Sequence, residues 1–100
     1  MAAESQLETD CREYIEVLYS GQLIKLQAPG NNGFPDRLVL IPSCPPIFTE
    51  FKSDIGELHG RQPWWRRWFI NNGFYWYLAN DFHEFCKVID KHARRFGECG

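Results

Sequence analysis

Asp36, Glu50 and Lys52 are residues whose types and spacing could do chemistry. They stand at the outer ends of two apolar runs, "RLVLIP" and "PIFTEFK", which meet at the Pro-rich "PSCPP". A hairpin turn centred on Ser43 sets Asp36 opposite Glu50. Cross-strand partners share a face and lie about 4.5–5.5 Å apart at Cβ. Lys52 is two residues beyond Glu50 and points to the same face. Two carboxylates and an ammonium then gather at one end of a hairpin, while Leu38, Leu40 and Phe48 continue that face as apolar packing. A one-residue slip would break the arrangement.

Two close carboxylates repel and raise each other's pKa. A hard divalent cation between them removes the penalty. Mg²⁺ suits such a place because it takes few protein carboxylates, keeps waters and accepts phosphate oxygens. Water activated there, beside Lys52, could attack a phosphodiester, and Lys52 could stabilise charge developing on the phosphate. The same three residues would also make an ordinary cross-strand salt bridge. The residues alone leave both readings open.

The elements that must position them follow from periodicity. "SQLETDCREYIEVLYSG" predicts a helix, with Leu7, Cys11, Tyr14, Ile15 and Leu18 at helical spacing. Ser5 and Glu8 fit a capping box, and Gly21 follows the end. "QLIKLQ" predicts a strand and "APGNNGFP" a loop. "RLVLIP" and "PIFTEFK" predict strands, apolar on both faces as in a covered sheet. Polar "SDIGELHG" leads to a second helix, "RQPWWRRWFINN", with Pro63 in its first turn and Gly73 as its stop. "FYWYLA" predicts a fourth strand. "NDFHEFCKVIDKHARRF" predicts a last helix capped by Asn80 or Asp81, with Phe82, Phe85, Cys86 and Ile89 on one side. The order α-β-β-β-α-β-α points to an α+β or α/β sandwich, one mixed sheet with helices packed on it.

The totals bound this reading. One hundred residues, 44% of them hydrophobic and 16% aromatic, suit a single domain over 1–100 with little core to spare. Dimerisation would help so short a chain. The acidic start and the lack of a long apolar run or signal peptide suggest a soluble, cytoplasmic protein with no membrane partner. Cys11, Cys44, Cys86 and Cys99 form no C-x-x-C pair and read as free thiols. The net charge is -2, but residues 1–50 hold three Lys/Arg against seven Asp/Glu, and residues 51–100 hold eight against six. A basic surface would therefore come from the second half.

Pro35-Asp36, thirteen residues, then Glu50-Phe51-Lys52 resembles the PD-(D/E)xK nuclease superfamily. More narrowly, the chain resembles the virus-type replication-repair nuclease (VRR-Nuc) domain. The similar features are "LETDCREYIE", "IKLQAPGNNGFPDRLVLIP", "IFTEFKSDIGELHGRQPWWRRWF" and "NNGFYWYL", across roughly residues 7–78. The resemblance implies a restriction-endonuclease-like mixed sheet. It also implies a Mg²⁺- or Mn²⁺-dependent DNA endonuclease, with Asp36, Glu50 and the Phe51 carbonyl on the ion and Lys52 as catalytic lysine. Gln62 matches a glutamine on the following helix. Glu8 matches a glutamate on the first helix, ahead of Glu13 and Glu16, because it shares a helix side with Cys11 and Ile15. Small stand-alone members of the family form two-fold dimers suited to branched DNA. The resemblance thus implies a homodimer cutting four-way (Holliday) junctions in a bacterial or phage-infected cell. Flaps, nicks or duplex DNA are the alternative substrates, and a catalytically silent DNA-binding subunit is the alternative role.

Other residues have plainer readings beside a functional one. Lys25, Arg61, Arg66 and Arg67 could hold a DNA backbone; an exposed strand lysine is the simpler reading for Lys25. Trp64, Trp65 and Trp68 are assigned mainly to packing. His59, His83 and His92 have no metal spacing and read as surface or boundary residues. No G-x-x-x-x-G-K-[ST] cradle is present, so no nucleotide cofactor is implied.

Overall fold

The computed structural model describes residues 4–52 and 57–97; Cys99 and the 53–56 part of "SDIGELHG" lie outside them. The elements are α1 (Gln6–Tyr19), β1 (Gln22–Lys25), β2 (Arg37–Leu40), β3 (Ile47–Phe51), α2 (Gln62–Asn71), β4 (Tyr75–Ala79) and α3 (Phe82–Phe96). They form a mixed sheet in the order β1-β2-β3-β4, antiparallel except for the parallel β3–β4 pair. The order α-β-β-β-α-β-α is the expected one.

The β2–β3 hairpin has the register set by a turn at Ser43: Arg37 faces Thr49, Leu38 faces Phe48 and Val39 faces Ile47. Ser43 itself takes a left-handed φ of 68°, which lets the Pro-rich turn close. Strand alternation then sorts the side chains. Leu23, Val39 and Ile47 point to the α1/α3 side, where they form the core with Cys11, Ile15, Ile41, Ala79, Phe85 and Ile89. Phe85 is fully buried, worth roughly 2–3 kcal/mol of transfer free energy.

Local signals set the helix ends. Ser5 Oγ accepts the Glu8 N–H at 3.1 Å and donates to Glu8 Oε1 at 3.3 Å. Asp81, not Asn80, caps α3 by accepting the Glu84 N–H at 2.9 Å. Arg94 and Arg95 occupy its last turn, where the helix dipole favours cations. The hydroxyls of Tyr14 and Tyr19 both donate to Asp90 Oδ1, tying α1 to α3.

The second side of the sheet is aromatic. Phe48 stacks on Phe69 of α2 at 4.5 Å, and Phe34 packs edge-on against Trp65 at 4.9 Å. Trp65 Nε1–H donates to the Asn32 carbonyl at 3.0 Å. Arg61, the residue before α2, makes no side-chain cap, so tertiary contacts position that helix start. Gly33 is central to them. It has φ of 80°, and a Cβ there would lie 2.7 Å from both Arg61 C and Gln62 N.

Four expectations need correction. Leu18 is 58% exposed, because the buried side of α1 runs through Cys11 and Ile15. The sheet is not covered on both faces along its length: α2 packs on β4, leaving Ile24 and Leu40 exposed. Trp64 and Trp68 stay exposed, and only Trp65 of the three sits between surface and core. His92 is buried rather than superficial, with Nε2 2.8 Å from the Pro45 carbonyl and its ring against Tyr75 and Phe96.

Gly33→Ala should cost about 2–4 kcal/mol, because it combines left-handed strain with a clash against backbone. Urea unfolding monitored by tryptophan fluorescence checks this; a change within 0.5 kcal/mol would contradict the close approach.

Candidate active site

The hairpin register places Asp36 and Glu50 together where β2 begins and β3 ends. The Asp36 N–H donates to Glu50 Oε2 at 3.3 Å. Glu50 is a buried residue, only 7% exposed. Burial first, then the neighbouring Asp36 charge, pushes its carboxyl up to about 7, while Lys52 and Arg37 pull the other way. Burial likewise raises Asp36, against the opposing charge of Arg37.

Gln62 opens α2 and spans the gap to β3. Its Oε1 accepts the His59 N–H at 2.8 Å, which orients the amide so that Nε2–H donates to Glu50 Oε1. Both Glu50 oxygens therefore have a donor. Asp36 differs: its Oδ1 is buried without a hydrogen-bond partner. An orphaned carboxylate oxygen beside a second carboxylate fits a cation, since a positive ion satisfies the lone pairs and lowers both raised pKa values. Among the described residues, no three His, Cys, Asp or Glu side chains converge as a metal cluster. A site with two carboxylates, completed by a carbonyl and waters, fits Mg²⁺ or Mn²⁺ better than a thiol- or imidazole-preferring metal.

The structure brings Asp36, Glu50, Lys52 and Gln62 to one end of the sheet. Phe51, between Glu50 and Lys52, turns its ring to the opposite face against Phe85. Glu8 approaches through an intermediary: its Oε2 accepts from the Arg37 guanidinium at 2.5 Å. Glu13 and Glu16 are exposed. Lys25 pairs with Arg37 in the β1–β2 register and is exposed. Arg61, Arg66 and Arg67 are exposed on the α2 side, with Arg61 4.4 Å over the Trp64 ring and Arg66 5.7 Å from that of Trp76.

Arg37 is the residue that sequence reasoning left without a role. It donates to the Asp36 carbonyl at 2.9 Å, reaches Asp36 Oδ2 at 3.9 Å, and pairs with Glu8, both side chains being 13% exposed. Its position directly after the Pro-Asp pair was the available signal. A guanidinium fixed by one carboxylate can orient another.

One end of the β-hairpin thus carries two adjacent carboxylates, a lysine two residues on and a glutamine from the next helix. A solved VRR_NUC domain matches this chain with a TM-score of 0.74 and 27% sequence identity, over 85% of this chain and 91% of its own length. The protein therefore has a VRR-Nuc fold. No family model matches the sequence, and no curated protein does.

Without a divalent cation, the raised Glu50 pKa means the folded state binds more protons than the unfolded chain above pH 4.5. Its contribution to stability is thus present below the unfolded pKa and declines as pH rises through about 7. Thermal melts from pH 4.5 to 8 should show Glu50→Gln losing less stability than the parent. Millimolar Mg²⁺ or Mn²⁺ at pH 7.5 should raise the parent melting temperature and leave that of Glu50→Gln unchanged; equal shifts in both would contradict the cation site. Arg37→Ala should cost about 3 kcal/mol by stranding Glu8. Adding Glu8→Ala should restore part of that loss in urea titrations; simple additivity would show that the pair is uncoupled.

Proposed function

We propose that this protein is a divalent-metal-dependent endonuclease that hydrolyses DNA phosphodiesters. The observation that carries the reading is the meeting of buried Glu50 with half-buried Asp36, whose Oδ1 is buried and unpartnered. Asp36, Glu50 and the Phe51 carbonyl would hold Mg²⁺ or Mn²⁺. When bound, the ion supplies Lewis acidity and lowers the pKa of water.

The chain's own groups do the rest. Gln62 fixes the Glu50 carboxylate in one orientation, and Arg37, held by Glu8, restrains Asp36. Lys52 adds a half-buried positive charge beside Glu50, placed to stabilise charge developing on a phosphate. Arg61, Arg66 and Arg67 offer phosphate contacts along α2, and Lys25 offers one from β1.

Branched DNA is the proposed substrate, a four-way junction in the first instance, cut by a homodimer. A two-fold pair of sites can address symmetry-related strands. Exposed Ile24, Leu40, Trp68 and Phe74 supply apolar surface for such a pairing.

The test is cutting of a labelled four-way junction beside a linear duplex, with Mg²⁺, Mn²⁺ or chelator, and light scattering for the oligomeric state. Glu50→Ala and Lys52→Ala should each lose cutting by about 100-fold or more while retaining DNA binding. Persistent cutting in both variants would refute the hydrolytic site. Binding without cutting by the parent would point to a silent DNA-binding module, and a monomer would remove the two-fold scheme.

A further inference from the structure

A groove of about 610 Å³ runs between α2 and β4, lined by Leu58, Pro63, Arg66, Ile70, Trp76 and Leu78, with Tyr77 at its margin. Its position is set by the sheet. Leu78 is the residue paired with Glu50 in the parallel β3–β4 register, so the two side chains point to the same face. Trp76 lies two residues back on that face. From α2, Pro63 follows Gln62 directly, and Arg66 is one turn beyond Gln62 on the same helix side. The groove therefore begins beside the carboxylate pair and leads away from it.

We infer that this groove is a nucleobase subsite: it receives an unpaired nucleotide next to the phosphate that is cut, with the base against Trp76 and the apolar walls. The inference rests on the nuclease reading of the Asp36–Glu50 site and adds what lies beside it. Three observations favour a base over other occupants. The volume is that of a site for one small ligand. The Arg66 guanidinium lies over the Trp76 ring, 5.7 Å from its centroid, so an incoming base would take that place on the indole while the displaced cation turns to its phosphate. Two of its lining residues also adjoin the proposed phosphodiester site, Leu78 by its pairing with Glu50 and Pro63 by following Gln62.

A base held here has left its stack. Unstacking costs a few kcal/mol in a duplex and least where the nucleotide is already unpaired. The subsite would therefore favour DNA with an open nucleotide beside the cut, as at a branch point or a splayed end.

The test is a titration of ¹⁵N-labelled native protein, in chelator, with a single-stranded tetranucleotide and with the same backbone carrying abasic sites. The Trp76 indole N–H signal, assigned with Trp76→Phe, should move with the tetranucleotide and not with its abasic counterpart. Trp76→Leu should weaken tetranucleotide binding about tenfold and abasic binding less than about twofold. Equal movement with both ligands would show a phosphate contact only and overturn the subsite, as would no movement. The native-chain titration decides the question even where Trp76→Leu does not fold. Parallel cutting assays separate the two readings. Base-dependent shifts in a protein that cuts no DNA would keep the subsite and remove the hydrolytic role; cutting without such shifts would do the reverse.

Discussion

A carboxylate cannot be buried beside a second one at the end of a hairpin unless its charge is answered from several directions. Glu50 is nearly inaccessible and lies against Asp36; burial and the Asp36 charge raise its pKa, and burial raises that of Asp36. The answering groups come from different elements. A backbone N–H comes from the residue before β2, an amide from the start of α2, and a guanidinium from β2, with Lys52 just past β3. Helix α1 takes part through Glu8, which holds the guanidinium. The fold around this end of the sheet is a scaffold that brings those groups together and leaves one buried Asp36 oxygen without a hydrogen-bond partner.

The aromatic layer gives that scaffold its stiffness. Helix α2 lacks a side-chain cap, yet its first residue must place an amide against Glu50. Tertiary contacts perform the task. Gly33 lets the loop touch the backbone at Arg61 and Gln62, and Trp65 ties to Asn32. Phe34, Phe48 and Phe69 interlock between loop, strand and helix. Aromatic contacts of this kind add roughly 0.5–1.5 kcal/mol each beyond area burial. The loop before Asp36 and the helix after Lys52 are thus one packed unit, although about thirty residues separate Gly33 from Gln62 along the chain.

The charge asymmetry acquires a spatial meaning from the same layer. The acidic first half places Asp36, Glu50 and Glu8 inward, while α2 of the basic second half presents exposed arginines over Trp64 and Trp76. A modest net charge of -2 therefore coexists with a cationic helix beside the carboxylates. That arrangement suits a polyanion approaching a site whose own charge a metal would offset.

Much of this was legible in the residues. Period-two and period-3.6 patterns marked all seven elements because they express local backbone geometry and one-sided burial. The hairpin register was legible because a Pro-rich turn at Ser43 pins two strands, and from it the meeting of Asp36 with Glu50 followed. Family resemblance singled out Gln62 and Glu8. Long-range packing decided the rest: that Glu8 pairs with Arg37, 29 positions away, that His92 sinks against Pro45, and that Trp64 and Trp68 face outward. Periodicity reports which residues share a side of an element, but not which neighbour covers that side. Covering depends on how separate elements dock, and docking is settled by the shape and charge of the whole assembled surface.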